Sequence, residues 1–298
     1  MKNNLILLSL FCLLTLKSFA QNYQQQDIKF ALIDIGVNGI MGGIGAIVNK
    51  KSDQKIGILF LKRFGQGCLG GGFQYLGKKL TFQIYDKQVL EYAWASRLTN
   101  SIGSSITENA MYNRPFGDNW HLNVFFTRID YSPKRQQKFT IRLVPMQFIS
   151  MIATKSQAEK FDWETTLKLG GVPTFSNNGK ITSQGPNVNA INWMSIAYDK
   201  TSQPDGINGL YGTLAHEFVH TLQFDNSIYI NPLFGKIDER WKSKNENYRK
   251  LSKYVYFNLP NLTGWFMTNF NPNKAYLCRY GEREAFHFAT QITLPKCD

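Results

Sequence analysis

Two apolar stretches near the start of the chain carry an unusual load of glycine, and this restricts the fold more than any other feature. Between Phe30 and Val48 the glycines fall at 36, 39, 42, 43 and 45, and Asp34 is the only charge. In the second stretch, IGILFLKRFGQGCLGGGFQYLGKK, glycines follow at 65, 67, 70, 71, 72 and 77. Glycine costs a helix about 1 kcal/mol relative to alanine, so this many must be offset by close backbone approach. Two arrangements meet that demand. Either two helices cross at their glycine faces, in water or in a membrane, or the segment is a buried hairpin of a soluble domain. Lys62 and Arg63 interrupt the second stretch and argue against a true span. The segment is read as a Gly-rich helical packing element whose membrane contact, through residues 28–77, is at most peripheral.

Residues 65–70, GQGCLG, match GxGxxG after an apolar run, and Asp86 closes a strand-like LTFQIYD. The GGFQYLGKK that follows is a poor first helix for a dinucleotide fold, so no nucleotide site is assigned. Residues 1–20 read as an export leader. Lys2 precedes the apolar run Leu5–Leu16, and Ser18-Phe19-Ala20 supplies small residues for cleavage. The chain is therefore expected in the periplasm, the cell envelope or outside the cell. Loss of Lys2 and Lys17 lowers the net charge from +13 to +11. That excess favours anionic surfaces without specifying nucleic acid, and none is expected as a partner. The densest basic cluster, Lys134, Arg135, Lys138 and Arg142, reads as a hairpin turn and its solvated face. Cys278 and Cys297 flank the last helical segment and are the plausible disulfide pair, while Cys68 reads as a buried thiol. The cysteine spacing fits no zinc ribbon.

Beyond residue 115 the pattern changes. HLNVFFTRIDY and KFTIRLV alternate about the turn SPKRQQ, which predicts a β-hairpin. GVPTFSNNGKIT predicts a second, with Asn178-Gly179 as a type I′ turn. NWMSIAYD reads as a further strand, of the kind that offers an edge to an extended peptide. A helix over NGLYGTLAHEFVHTLQF, capped by Asp205 or Asn208, follows. Charged residues 237–255 and the segment 281–292 read as two more helices. Strands followed by helices define an α+β class. Three parts are expected: the leader 1–20, a Gly-rich apolar region 21–115, and an α+β domain 116–298.

The chemistry lies in His216-Glu217-Phe218-Val219-His220. Four residues apart on a helix, the two imidazoles share one face, one turn apart, and can grip one cation. Glu217 is rotated by about 100° onto the shoulder of that face. From there its carboxylate reaches a water on the metal and can take its proton. Leu214, Phe218 and Leu222 form the opposite, core-facing stripe, and Thr213 and Gln223 join the histidines. A third ligand must come from elsewhere. Gln223 and Asn226 stand where a longer HExxHxxGxxH motif would place glycine and histidine. GEREAFHFA at 281–289 offers a carboxylate, from Glu282 or from Glu284.

HEFVH followed by EREA resembles the HExxH zinc metallopeptidases, the zincins, in their gluzincin form. The likeness covers about thirty residues. It implies a zincin-like domain holding Zn2+ through His216, His220 and Glu282, with Ala285 packed beside the motif helix. Phe286 stands where that family has Asp or Asn, which removes a partner for a ligand histidine. Tyr280, His287 and Tyr229 are candidates for stabilising an oxyanion, and His121 reads as a strand residue. The expected activity is an exported zinc-dependent peptidase with Glu217 as general base and a peptide or protein as substrate. The alternative is a non-catalytic zinc-binding envelope or membrane-interaction protein.

Overall fold

In the computed structural model, which describes residues 23–181, 188–227, 229–258 and 276–292, both Gly-rich stretches are helical. Helix α1 (Tyr23–Val48) and helix α2 (Ile56–Leu80) form an antiparallel pair against α4 (Tyr92–Met111), with α3 (Phe82–Lys87) between them in sequence. The glycines permit backbone contact that any side chain would block. A Cβ on Gly67 would sit 2.2 Å from the carbonyl of Asn38, and one on Gly71 would sit 2.3 Å from that of Asp34. On the other side of α2, Gly70 and Gly103 of α4 abut, where a Cβ on either meets the other's carbonyl at under 3 Å. GQGCLG is thus mid-helix, with no strand before it, and forms no phosphate loop. LTFQIYD is helical too. The helical turn at Thr81 carries on from α2 into α3, Ile84 is fully buried, and Gln88 ends the helix at φ 54°. Cys68 is half-buried, its sulfur lying over Gly39. By length and composition α1 could cross a membrane, and 44% of its apolar window is buried in this fold.

The β part is two small sheets, so the fold is α+β. β1 (Trp120–Val124), β2 (Thr127–Tyr131) and β3 (Phe139–Leu143) form an antiparallel meander. HLNVFFTRIDY is therefore two strands, bent at Phe125 with φ 59°. After α5 (Pro145–Lys155), β4 (Lys160–Phe161) and α6 (Trp163–Lys168), the second sheet has the order β4-β5-β7-β6. It is built from β5 (Thr174–Asn177), β6 (Ala190–Asn192) and β7 (Ile196–Asp199). The predicted hairpin at Asn178-Gly179 is not formed. β5 pairs with β4 and, in parallel, with β7, and Asn178 lacks the positive φ that a type I′ turn demands of both central residues. NWMSIAYD holds a turn, with Met194 at φ 70°, and then β7, which lies inside the sheet. Among the described residues the edge strands of this sheet are β4 and β6.

Helix α7 (Leu210–Asn226) carries the histidine motif. Its N-cap is Gly209, with no side-chain cap. Asp205 instead accepts a hydrogen bond from Gln88 at 2.6 Å, so the expected capping roles of Asp205 and Asn208 do not occur. After α8 (Ile230–Leu233), the charged segment is two helices, α9 (Gly235–Lys244) and α10 (Glu246–Leu251). Asn245 breaks it, because its side chain caps α10 through the Tyr248 N–H. The last described helix is α11 (Tyr280–Thr290). Leu214, Phe218 and Leu222 are buried as the helical spacing requires, against Ile84, Ala93, Leu169, Ile196, Ala285 and Phe288. Phe30 of α1 joins the same cluster, so the Gly-rich helices and the motif helix share one core. Each such side chain contributes about 1.5–3 kcal/mol through burial. Cys278 is disulfide-bonded. Its expected partner Cys297 and the leader 1–20 lie outside the described residues.

Candidate metal centre

Two buried helices bring three ligand-type atoms to one point. Helix α7 is anchored by its Leu214–Phe218–Leu222 stripe, which turns His216 and His220 toward α11. Ala285 is fully buried, and this small residue lets α11 approach. His216 Nε2 and His220 Nε2 are 3.1 Å apart. Glu282 Oε2 is 3.1 Å from the first and 3.3 Å from the second. A tetrahedral zinc ion with ligands at about 2.0–2.1 Å requires edges of about 3.3 Å between them. The three edges fit one face of such a tetrahedron. The donor set, two imidazole nitrogens and a carboxylate oxygen, is that of catalytic zinc. It is also the one group of three or more His, Cys, Asp and Glu able to hold a metal among the described residues.

Without a cation these groups perturb each other. Burial opposes protonation of His220, but the hydrogen bond and charge of Glu282 outweigh it and carry the ring up to about 9. Burial works against the Glu282 anion too, yet hydrogen bonds from both imidazoles hold it well below the ordinary carboxylate range. Glu217 is buried on the shoulder of the same face. Desolvation raises its pKa, the histidines pull it back, and Glu282 pushes it further up. A carboxylate of raised basicity next to an electrophilic centre is suited to accepting a proton.

The supporting contacts are unequal. His220 Nδ1 is 2.8 Å from Gln223 Oε1, which orients the ring. Gln223 Nε2 donates to the carbonyl of Gly281 at 2.9 Å and to Glu284 at 2.8 Å. Glu284 accepts from the buried Lys78 of α2 at 2.7 Å, and Lys78 also meets Asp34 of α1 at 2.7 Å. A continuous buried chain thus runs from the Gly-rich helices to His220. Its two carboxylates face one ammonium. Burial and the Glu284 charge raise the Asp34 pKa to about 7, against the pull of Lys78. His216 has no such support. Its Nδ1 is buried with no hydrogen-bond partner, and the Phe286 ring lies 4.3 Å from the imidazole. This is the consequence of Phe286 that its position in the sequence implied.

Of the two glutamates weighed as third ligand, Glu282 meets the imidazoles and Glu284 is engaged by Lys78 and Gln223. The three oxyanion candidates lie elsewhere. Tyr280 reaches toward Glu284 at 3.5 Å, and Tyr229 toward Asn38 at 3.4 Å. His287 is stacked on Tyr23 and bonded to Asp27 at 3.0 Å. Tyr276 stands beside the triad instead, and its sequence position gave no signal beyond closeness to α11. Its ring is half-exposed, but its hydroxyl turns inward onto Glu282. Burial, then the Glu282 and Glu217 charges, raise its pKa. His121, on β1, is buried between Ser104, Ser105 and Glu108, distinct from the triad. Asn192 of edge strand β6 donates to the Glu217 carbonyl and to Thr221 Oγ1, placing that strand alongside the motif helix.

Comparison with protein-family models, with curated proteins and with solved structures returns no match for this chain.

Proposed function

We propose that the chain is an exported zinc-dependent metallohydrolase of the gluzincin type, acting on peptide or protein amide bonds. The observation that carries this reading is the convergence of His216 Nε2, His220 Nε2 and Glu282 Oε2 within 3.1–3.3 Å, edges suited to tetrahedral zinc. Zinc held there would supply Lewis acidity toward a carbonyl and acidify water near neutrality. The chain's own residues supply the remainder. Glu217 removes the proton from the attacking water and returns it to the leaving nitrogen. The Tyr276 hydroxyl, bonded to Glu282 beside the triad, is the donor offered to a developing oxyanion. An extended substrate pairs along β6, whose Asn192 fastens that strand to the back of the Glu217 turn.

Glu217→Gln separates this enzyme from a zinc-binding scaffold. Casein or a quenched peptide library serves as substrate, with zinc measured in the same preparations. The enzyme reading predicts that the variant keeps its zinc and loses turnover by about 10²-fold or more. Wild-type protein that holds zinc but cleaves nothing in a broad peptide library, with Glu217→Gln indistinguishable from it, favours the scaffold.

A further inference from the structure

Helices α1 and α2 bury faces of glycine and polar residues and turn their large apolar side chains outward, unlike helices on a water-exposed surface. Asp34, Asn38, Arg63, Gln74 and Lys78 are all buried. Asn38 donates to Gln74 at 2.9 Å, Lys78 pairs with Asp34, and Arg63 bonds Asn113. The outward side carries Leu32, Val37, Ile40, Ile44 and Val48 on α1, and Ile58, Leu61, Leu69 and Leu76 on α2. Ile40 and Ile44 are 48% and 41% exposed, and Ile58 and Leu61 are 67% and 60% exposed. From Phe30 to Val48 every exposed side chain of α1 is apolar. Among the described residues nothing packs on this face. A soluble monomer rarely shows so long an apolar stripe without a partner for it.

We infer that this face seats in the hydrocarbon boundary of a lipid bilayer bearing anionic headgroups. Charge identifies the occupant. Lys51, Lys55 and Lys62 are exposed at the end where α1 turns into α2, and Lys29 is exposed at the other. Lys29 and Lys50 are 21 residues apart on α1 and its C-terminal turn, about 31 Å at the helical rise, so basic groups rim the apolar stripe at both ends. Apolar side chains dipping below a ring of lysines is the pattern of interfacial anchors, and cationic residues at the rim meet anionic lipid. The chain's formal charge, +13 with the leader and +11 without Lys2 and Lys17, has the same sign. Lys62 lies at the margin of the stripe, where its long stem lets the ammonium reach headgroups. Most of the buried polar groups find partners within the helix bundle, which lowers the cost of holding them next to lipid; Asp34 Oδ2 and Gln74 Nε2 are the exceptions.

Co-flotation of the purified full chain with vesicles tests this, using phosphatidylcholine alone and phosphatidylcholine with one quarter phosphatidylglycerol. The chain should float with both and more completely with the anionic vesicles. Combined Ile40→Glu, Ile44→Glu and Leu61→Glu should abolish flotation with circular dichroism unchanged. Lys51→Glu, Lys55→Glu and Lys62→Glu together alter only exposed charges. They should erase the preference for phosphatidylglycerol, lowering the bound fraction on anionic vesicles about tenfold. Wild type that stays at the bottom with both vesicles overturns the inference. Light scattering showing a soluble dimer that the isoleucine variants dissociate, with no flotation, assigns the face to a second copy and overturns it too. Flotation unaffected by the lysine reversals would remove the charge argument.

Discussion

Lys78→Met is the substitution from which most can be learned. The ammonium is 4% exposed and sits 2.7 Å from both Asp34 and Glu284. Methionine keeps the stem's volume and removes the charge, leaving two buried carboxylates with no cation between them. Breaking a buried pair costs about 3–5 kcal/mol. The structure places this case inside that range, since part of the loss is recovered when Asp34, already raised to about 7, takes up a proton. A loss of about 4 kcal/mol follows. With an unfolding entropy of about 2.1 cal/mol/K per residue over 298 residues, that corresponds to a fall in Tm of about 6 °C. Thermal unfolding followed by circular dichroism at pH 7 reads it. Combining Lys78→Met with Asp34→Asn and Glu284→Gln should recover most of the loss, because the neutral set has no charge to strand. The single variant should also bind zinc about 10–100-fold more weakly, as Glu284 loses the ammonium that holds it against Gln223, the residue that steadies His220. A single variant within 1 °C of wild type, with unchanged zinc affinity, would refute the reasoning.

Two further outcomes are expected. Gly71→Ala places a methyl 2.3 Å from the Asp34 carbonyl and should cost about 3 kcal/mol or prevent folding, whereas Gly72→Ala meets nothing within 4 Å and should stabilise α2 by about 1 kcal/mol; urea unfolding compares them. Burial, then the Arg128 charge, depress His121 from 6.5 to about 4. The sign is that of a group protonated more readily when unfolded. Its contribution, on the order of 3 kcal/mol, is complete above about pH 6.5 and is lost as pH falls toward 4. Glu108 and Asp130, also depressed, add losses in the same direction at lower pH. Urea midpoints between pH 7 and 4 should fall less steeply for His121→Gln.

The features readable from sequence are those set by local periodicity. Residues four apart on α7 determine which side chains share a face, so the histidine pair and the Leu214–Phe218–Leu222 stripe were legible. The glycine spacing of α1 and α2 announced close packing, but the choice of helix partners rests on contacts between distant segments. LTFQIYD alternates like a strand, yet it continues the turn of α2 and buries Ile84 beneath the motif helix. Register between Glu282 and Glu284 could not be read from one helix, because it depends on Lys78, more than two hundred residues away in sequence. NWMSIAYD reads as one strand, but the turn at Met194 divides it, leaving β7 inside the sheet and β6 at one edge. Tyr276 and the Gln223–Glu284–Lys78–Asp34 chain carried no sequence signature, since each link joins elements that only tertiary packing brings together.

Zinc content of dialysed protein, measured by plasma mass spectrometry beside His216→Ala and Glu282→Ala, addresses the triad directly. About one zinc per chain in the wild type and none retained by either variant is the outcome expected for His216, His220 and Glu282 sharing one ion. A wild type without zinc that takes none up on addition, or a Glu282→Ala protein that keeps the full complement, contradicts it.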